Sequence, residues 1–196
     1  RLSARSARHL IETPADLERL RGFLDEGGMY LYTVNAFPYG DFKSGRVKEQ
    51  VYEPDWRTEE RTAYTCDVAT ILAQVAPPGI SPSIQSAPLG FKPNIQGAHD
   101  VERFTHHVLR VVAHLIELES RTGRCVTLAL EPEPMCFLET TDEAIRYFAD
   151  HLYSARAAES LAQLARIPRS EALGALRRHV GIVYDICHQA RSEEHT

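Results

Sequence analysis

The chain has little that would tie it to a membrane, to nucleic acid or to a disulfide framework. Its 196 residues include only four cysteines, Cys66, Cys125, Cys136 and Cys187, which lie far apart and form no CxxC pair. That spacing argues against a zinc knuckle and a disulfide scaffold, and it fits a reducing, cytoplasmic compartment. No apolar run approaches the roughly 18 residues needed to span a bilayer, so no membrane insertion is expected. No basic stripe stands out and the formal net charge is -5. Phosphate neutralisation, and with it a nucleic-acid partner, is therefore not expected. GxGxxG, P-loop, GxSxG and HExxH motifs are all missing, which leaves nucleotide cofactors and serine hydrolysis unsupported. There is no signal-peptide pattern and no Met at position 1, so the chain is expected to be a piece of a longer protein.

What is present is ordinary globular material, with 43% hydrophobic and 25% charged residues. Thr13-Pro14 reads as an N-cap and first helical residue, and Gly27-Gly28 stops that helix. Residues 29–35 read as a strand, followed by a long loop over 36–55 containing Pro38, Gly40, Gly45 and Pro54. Asp55 is expected to cap a helix over 56–76 whose apolar face is Val68, Ile71, Leu72 and Val75. A short strand over 83–87, a strongly amphipathic helix over 98–121 closed by Gly123, and a strand over 124–130 follow. Thr140 and Glu143 have capping-box spacing and open a helix to about His151. Helical patterns continue over 157–166 and 170–179, and a last strand is expected over 181–187.

Alternation of helix and strand implies parallel strands joined by right-handed crossovers, hence an α/β protein. In the third strand Val126, Leu128 and Leu130 share one face, and Thr127, Ala129 and Glu131 share the other. In the fourth, Ile182, Tyr184 and Ile186 oppose Gly181, Val183 and Asp185. One face is bulky enough to pack on helices, while the other is smaller and leads to an acid at the carboxyl end. A barrel needs that arrangement, and a doubly wound sheet fits it almost as well.

Leu128-Ala129-Leu130-Glu131 and Tyr184-Asp185-Ile186-Cys187-His188 carry the chemistry. Glu131, Asp185 and His188 give a mixed oxygen and nitrogen set suited to a divalent cation (Mn, Mg, Co or Zn). Glu133 and Glu139 are nearby competitors of Glu131, which continues the inward parity of its strand. Asn35 could bind substrate by orienting a hydroxyl or carbonyl, or could instead stabilise a turn. Lys48, Tyr52, Asp55 and Trp56 read as surface and capping residues. His99, His106, His107 and His114 read as helix-surface residues, and Cys187 as a buried thiol.

These two segments resemble the xylose isomerase-like TIM-barrel superfamily, which includes sugar isomerases, epimerases and an abasic-site nuclease type. A Glu at one strand end followed by Asp-x-x-His at the next implies that Glu131, Asp185 and His188 are metal ligands. A longer resemblance, to the bacterial EboE-type metabolite traffic proteins, rests on four stretches in order. They are Tyr32-Thr33-Val34-Asn35-Ala36-Phe37-Pro38-Tyr39-Gly40, Val47-Lys48-Glu49-Gln50-Val51-Tyr52-Glu53-Pro54-Asp55-Trp56, Leu130-Glu131-Pro132-Glu133-Pro134 and Asp185-Ile186-Cys187-His188-Gln189-Ala190.

The resemblance implies an incomplete (β/α)8 barrel of about four strands over residues 1–190, acting on a small metabolite by isomerase-, epimerase- or hydrolase-like chemistry. The alternative it implies is a non-catalytic metabolite traffic or binding protein. The fragment itself is expected to be inactive. A His expected after the Phe-Pro-Tyr-Gly stretch is replaced here by Asp41-Phe42-Lys43. The last six residues, 191–196, resemble the conceptual translation of a sequencing adapter, so His195 is left out of any site.

Overall fold

The computed structural model describes residues 1–37, 39 and 52–193. Pro38, Gly40, Gly45, Lys48, the 41–43 and 47–51 stretches and His195 lie outside the described residues. The strands are β1 (Thr33–Asn35), β2 (Ser83–Ser86), β3 (Thr127–Leu130) and β4 (Val180–Ile182). They form one parallel sheet in the order β1-β2-β3-β4. Each crossover carries helix: α3 (Glu59–Val75), then α4 (Ala98–Thr122), then α5 (Thr141–Tyr147), α6 (Ala155–Ala165) and α7 (Arg169–His179). Helices α1 (Ala4–Glu12) and α2 (Pro14–Glu26) precede β1, and α8 (Ile186–Glu193) follows β4.

Register explains why one face of the sheet is dry. Val34, Ile84, Leu128 and Val180 are cross-strand partners. All four are buried in one cluster with Val68, Leu72, Val108, Val112, Leu161 and Leu176 of the helices. The next row along the strands, Asn35, Gln85, Ala129 and Gly181, points the other way. Its members are partly exposed or barely buried, in contrast to the fully dry row beside it. The helices thus supply their apolar stripes to one face only. A doubly wound sheet reverses its strand order partway and has helices on both faces; among the described residues this sheet does neither.

Several helix ends follow from local chemistry. Thr140 Oγ1 accepts from the backbone N–H of Glu143, whose carboxylate accepts from the N–H of Thr140, completing the capping box. Gly123 adopts φ 69° to close α4, a left-handed conformation that disfavours a side chain. Other ends differ from expectation. The helix expected from Trp56 begins at Glu59, because Thr58 rather than Asp55 supplies the cap, accepting from Arg61 N at 3.3 Å. Asp55 instead bonds the backbone N–H and guanidinium of Arg57 and is buried. Trp56 and Tyr52 are buried too, not surface residues; Trp56 Nε1 donates to Ser86 Oγ at the end of β2. The helix that opens at Thr140 passes into a π-helical turn, Phe148–Leu152.

The last strand is shorter than the alternation of 181–187 suggests. It ends at Ile182, and Ile186 already begins α8. Because β4 is an edge strand among the described residues, Ile182 and Tyr184 are exposed instead of packed on helices. His107 and His114 are not plain surface residues either. Their ring nitrogens meet Thr62 Oγ1 at 2.8 Å and Thr70 Oγ1 at 2.9 Å, so they tie α4 to α3. Cys187, expected to be buried, is exposed on α8.

Candidate metal centre at the carboxyl ends of β3 and β4

Glu131 directly follows β3, and its backbone N–H donates to Ser86 O at 3.1 Å, which continues the β2–β3 ladder by one residue. Parity then turns its carboxylate away from the helices, onto the face that carries Ala129. Pro132 follows and keeps the chain out of a helix at that corner. Glu131 is almost fully buried, with 7% of its side chain exposed. A buried carboxylate requires partners, and Glu131 has one in Gln85, whose Nε2 donates to Oε2.

Asp185 sits ahead of α8 and serves as its cap. Its Oδ1 accepts from the backbone N–H of Cys187 at 2.8 Å and of His188 at 3.2 Å. This capping turn swings His188 back over the sheet end. His188 Nδ1 lies 3.3 Å from Glu131 Oε1 and 3.8 Å from Asp185 Oδ2. Each carboxylate is therefore held by one oxygen and presents the other toward the same imidazole. Gln189 locks the helix in place. It is buried, accepts from Thr141 Oγ1 at 2.9 Å and donates to Glu139 O at 3.3 Å.

One ligand atom from each of Glu131, Asp185 and His188 lies within 4.8 Å of the others. Donors sharing one ion at ~2.1 Å stand roughly 3 Å apart, so small side-chain adjustments would close the set around a divalent cation. The donor chemistry, two carboxylate oxygens and one imidazole, fits such an ion. A protonated His188 between two carboxylates would occupy the same geometry.

The surroundings shape the mouth above this set. Phe37, Tyr52 and Phe91 cluster with Cys136 and Ala87. Tyr52 stacks on Phe91 with centroids 5.8 Å apart, and Phe37 meets it edge-on at 5.4 Å. Burial and hydrogen bonding with Cys136 push the Tyr52 hydroxyl well above its usual range. Glu133 lies beside this cluster, and its carboxyl is raised above the ordinary value, chiefly by burial, with His188 opposing the shift. Asn35 is one strand from Gln85 in the same row. Its Oδ1 accepts from Phe37 N at 3.0 Å and so stabilises the turn after β1, leaving the amide nitrogen as the donor it can offer a ligand.

Sequence reasoning brought together Glu131, Asp185 and His188, and the fold does place them together. It did not find Gln85, whose role depends on register, or Gln189, whose partners lie some fifty residues away in the chain. Arg61 was missed as well. It is fully buried, and its guanidinium donates to Pro54 O at 2.8 Å, Ala36 O at 2.9 Å and Phe37 O at 3.0 Å, tying the backbone just after β1 to that at Pro54. Comparison with family models, with curated proteins and with solved structures finds no match.

Proposed function

We propose that the chain forms part of a (β/α)8 barrel of xylose isomerase-like type that holds a divalent metal ion and acts on a small metabolite. The observation that carries this reading is the approach of Glu131, Asp185 and His188 at the carboxyl ends of adjacent parallel strands. Barrel enzymes keep their chemistry at that end. Strand order without reversal, helices on one face and a second face bearing Asn35, Gln85 and Thr127 all support a barrel wall over a doubly wound sheet. On this reading the four parallel strands of the described sheet would be four of the eight that a closed barrel needs.

Bound there, a metal ion would polarise a carbonyl or hydroxyl, or lower the pKa of a water. The first use suits isomerase or epimerase chemistry on a hydroxy-carbonyl compound, and the second suits hydrolysis. Gln85 and the α8 backbone hold the two carboxylates so that one oxygen of each remains available. Glu133, near the same imidazole, stands where a proton could be exchanged with a ligand resting against the aromatic cluster.

The second reading is a metabolite traffic protein of the EboE type that binds without turnover. The partly exposed Phe37 and Phe91 rings, packed on buried Tyr52, favour it, since they can retain an apolar ligand without any chemistry. Manganese titration of the purified protein, read by loss of the free-ion electron paramagnetic resonance signal, tests the shared premise. One Mn²⁺ per chain, lost in folded Asp185→Ala and His188→Ala variants, supports the site. Equal binding in all three, or none in any, would refute it. A substrate screen of hydroxy-carbonyl compounds then separates the enzyme from the binder.

A further inference from the structure

A second group of potential ligands lies at the opposite end of the sheet. Cys125 precedes β3, His179 closes α7 immediately before β4, and Glu119 lies near the end of α4. One donor atom from each falls within 4.8 Å of the others. His179 is fully buried. Its Nδ1 lies 2.9 Å from the backbone oxygen of Val126. A carbonyl can only accept, so Nδ1 carries the hydrogen. In the neutral ring, Nε2 then points a lone pair at Glu119 Oε2, 3.1 Å away. Two acceptors cannot satisfy each other. A shared proton or a metal ion resolves such a contact.

We propose that Glu119, Cys125 and His179 form a zinc-type metal site, with its fourth position open to water. A ligating histidine that donates its other ring nitrogen to a backbone carbonyl is the usual second contact of protein metal sites. The oxygen, sulfur and nitrogen donors suit a borderline-soft dication. One thiolate and one carboxylate neutralise its charge. Donors around tetrahedral zinc stand roughly 3–4 Å apart, which the cluster nearly meets. Arg178 Nη2 lies 3.2 Å from the same Glu119 oxygen, and its half-exposed side chain can withdraw or bond the outer oxygen. Glu119 and Cys125 are both partly exposed, so an ion has a route in from solvent. The site would pin α4, β3 and α7 together at the base of the sheet. It needs no CxxC pair, because each ligand comes from a different element.

The experiment uses the full chain carrying Asp185→Ala and His188→Ala, so that the carboxyl-end site cannot contribute. After chelation, Co²⁺ is titrated and then displaced with Zn²⁺. The expected result is one Co²⁺ per chain, with a thiolate-to-cobalt charge-transfer band that disappears on adding Cys125→Ser. Glu119→Gln should weaken Zn²⁺ binding roughly 10- to 100-fold. A second readout uses the same Asp185→Ala, His188→Ala chain: Zn²⁺ should slow alkylation of Cys125 while leaving exposed Cys187 reactive. Absence of the band with no protection of Cys125, or Zn²⁺ affinity unchanged by Cys125→Ser, would overturn the proposal. A proton shared between His179 and Glu119 would then remain.

Discussion

Gln85 and Glu131 meet across two neighbouring strands: the side-chain amide of Gln85 donates to one oxygen of the Glu131 carboxylate, leaving the other toward His188. The pairing is a consequence of register, since Gln85 lies opposite Ala129 and Glu131 emerges two residues later on the same face. Contacts of this kind fix the rotamer of a ligand and set how tightly a metal is held.

Replacing Gln85 with Leu should therefore weaken Mn²⁺ binding about 10- to 100-fold while leaving the sheet intact. Calorimetric titration reads the affinity, and far-ultraviolet circular dichroism reports the fold. Unchanged affinity would show that Glu131 needs no support from β2.

Asp185 has two duties that substitution can separate. Asp185→Asn keeps a good N-cap and should leave the melting temperature nearly unchanged while weakening metal binding. Asp185→Ala should lose both, with the cap worth about 1 kcal/mol. Thermal melts with and without Mn²⁺ distinguish the two variants. Equal melting temperatures in metal-free protein would sink the capping role.

Arg61→Met removes the donor shared by three backbone carbonyls in a site with no exposed side-chain surface. Buried acceptors left unpaired cost about 1–3 kcal/mol each. The urea midpoint should fall substantially, and Arg61→Lys should recover only part of the loss. A midpoint within error of the parent would contradict the arrangement.

Stability should also depend on pH through the α3–α4 interface. Burial holds the His107 and His114 rings below their usual pKa of 6.5, so the folded state favours their neutral form. The unfolded chain binds protons first as pH falls. The stability these rings contribute is thus present above 6.5 and lost as pH drops through the lowered folded values. Each ring can carry only a fraction of the roughly 1.4 kcal/mol per pH unit that one proton allows. Denaturant midpoints measured from pH 7.5 to 5 should fall, and His114→Gln should flatten the slope.

What was legible in the sequence was local or periodic. Pro14 after Thr13, the Thr140 and Glu143 pair, and Gly123 each mark a helix end, and all three ends are found, though the Thr13 side chain makes no capping bond and Pro14 alone carries that start. Helix α1 was missed although Ala4, Ala7, Leu10 and Ile11 recur at helical spacing, since two of those four positions are alanine and only Ala7 is buried. Strand β4 was drawn too long because Tyr184-Asp185-Ile186 continues a two-residue alternation, while the Asp185 carboxylate caps a helix there. Glu131 could be read from parity alone. Gln85, Arg61 and Gln189 could not, since each acts through partners brought near only by the completed fold.

The row Asn35, Gln85, Ala129 and Gly181 crosses the sheet on the face away from the helices. Along it the side chains shrink from amide to methyl to hydrogen. The floor of the sheet therefore slopes, high at β1 and β2 and low at β3 and β4. On the proposed reading, a small molecule lying against this face would find most depth over Ala129 and Gly181, on the side of the strands from which Glu131 projects. Bulk added at either position would raise that floor and lift the molecule away from the carboxylates without touching them.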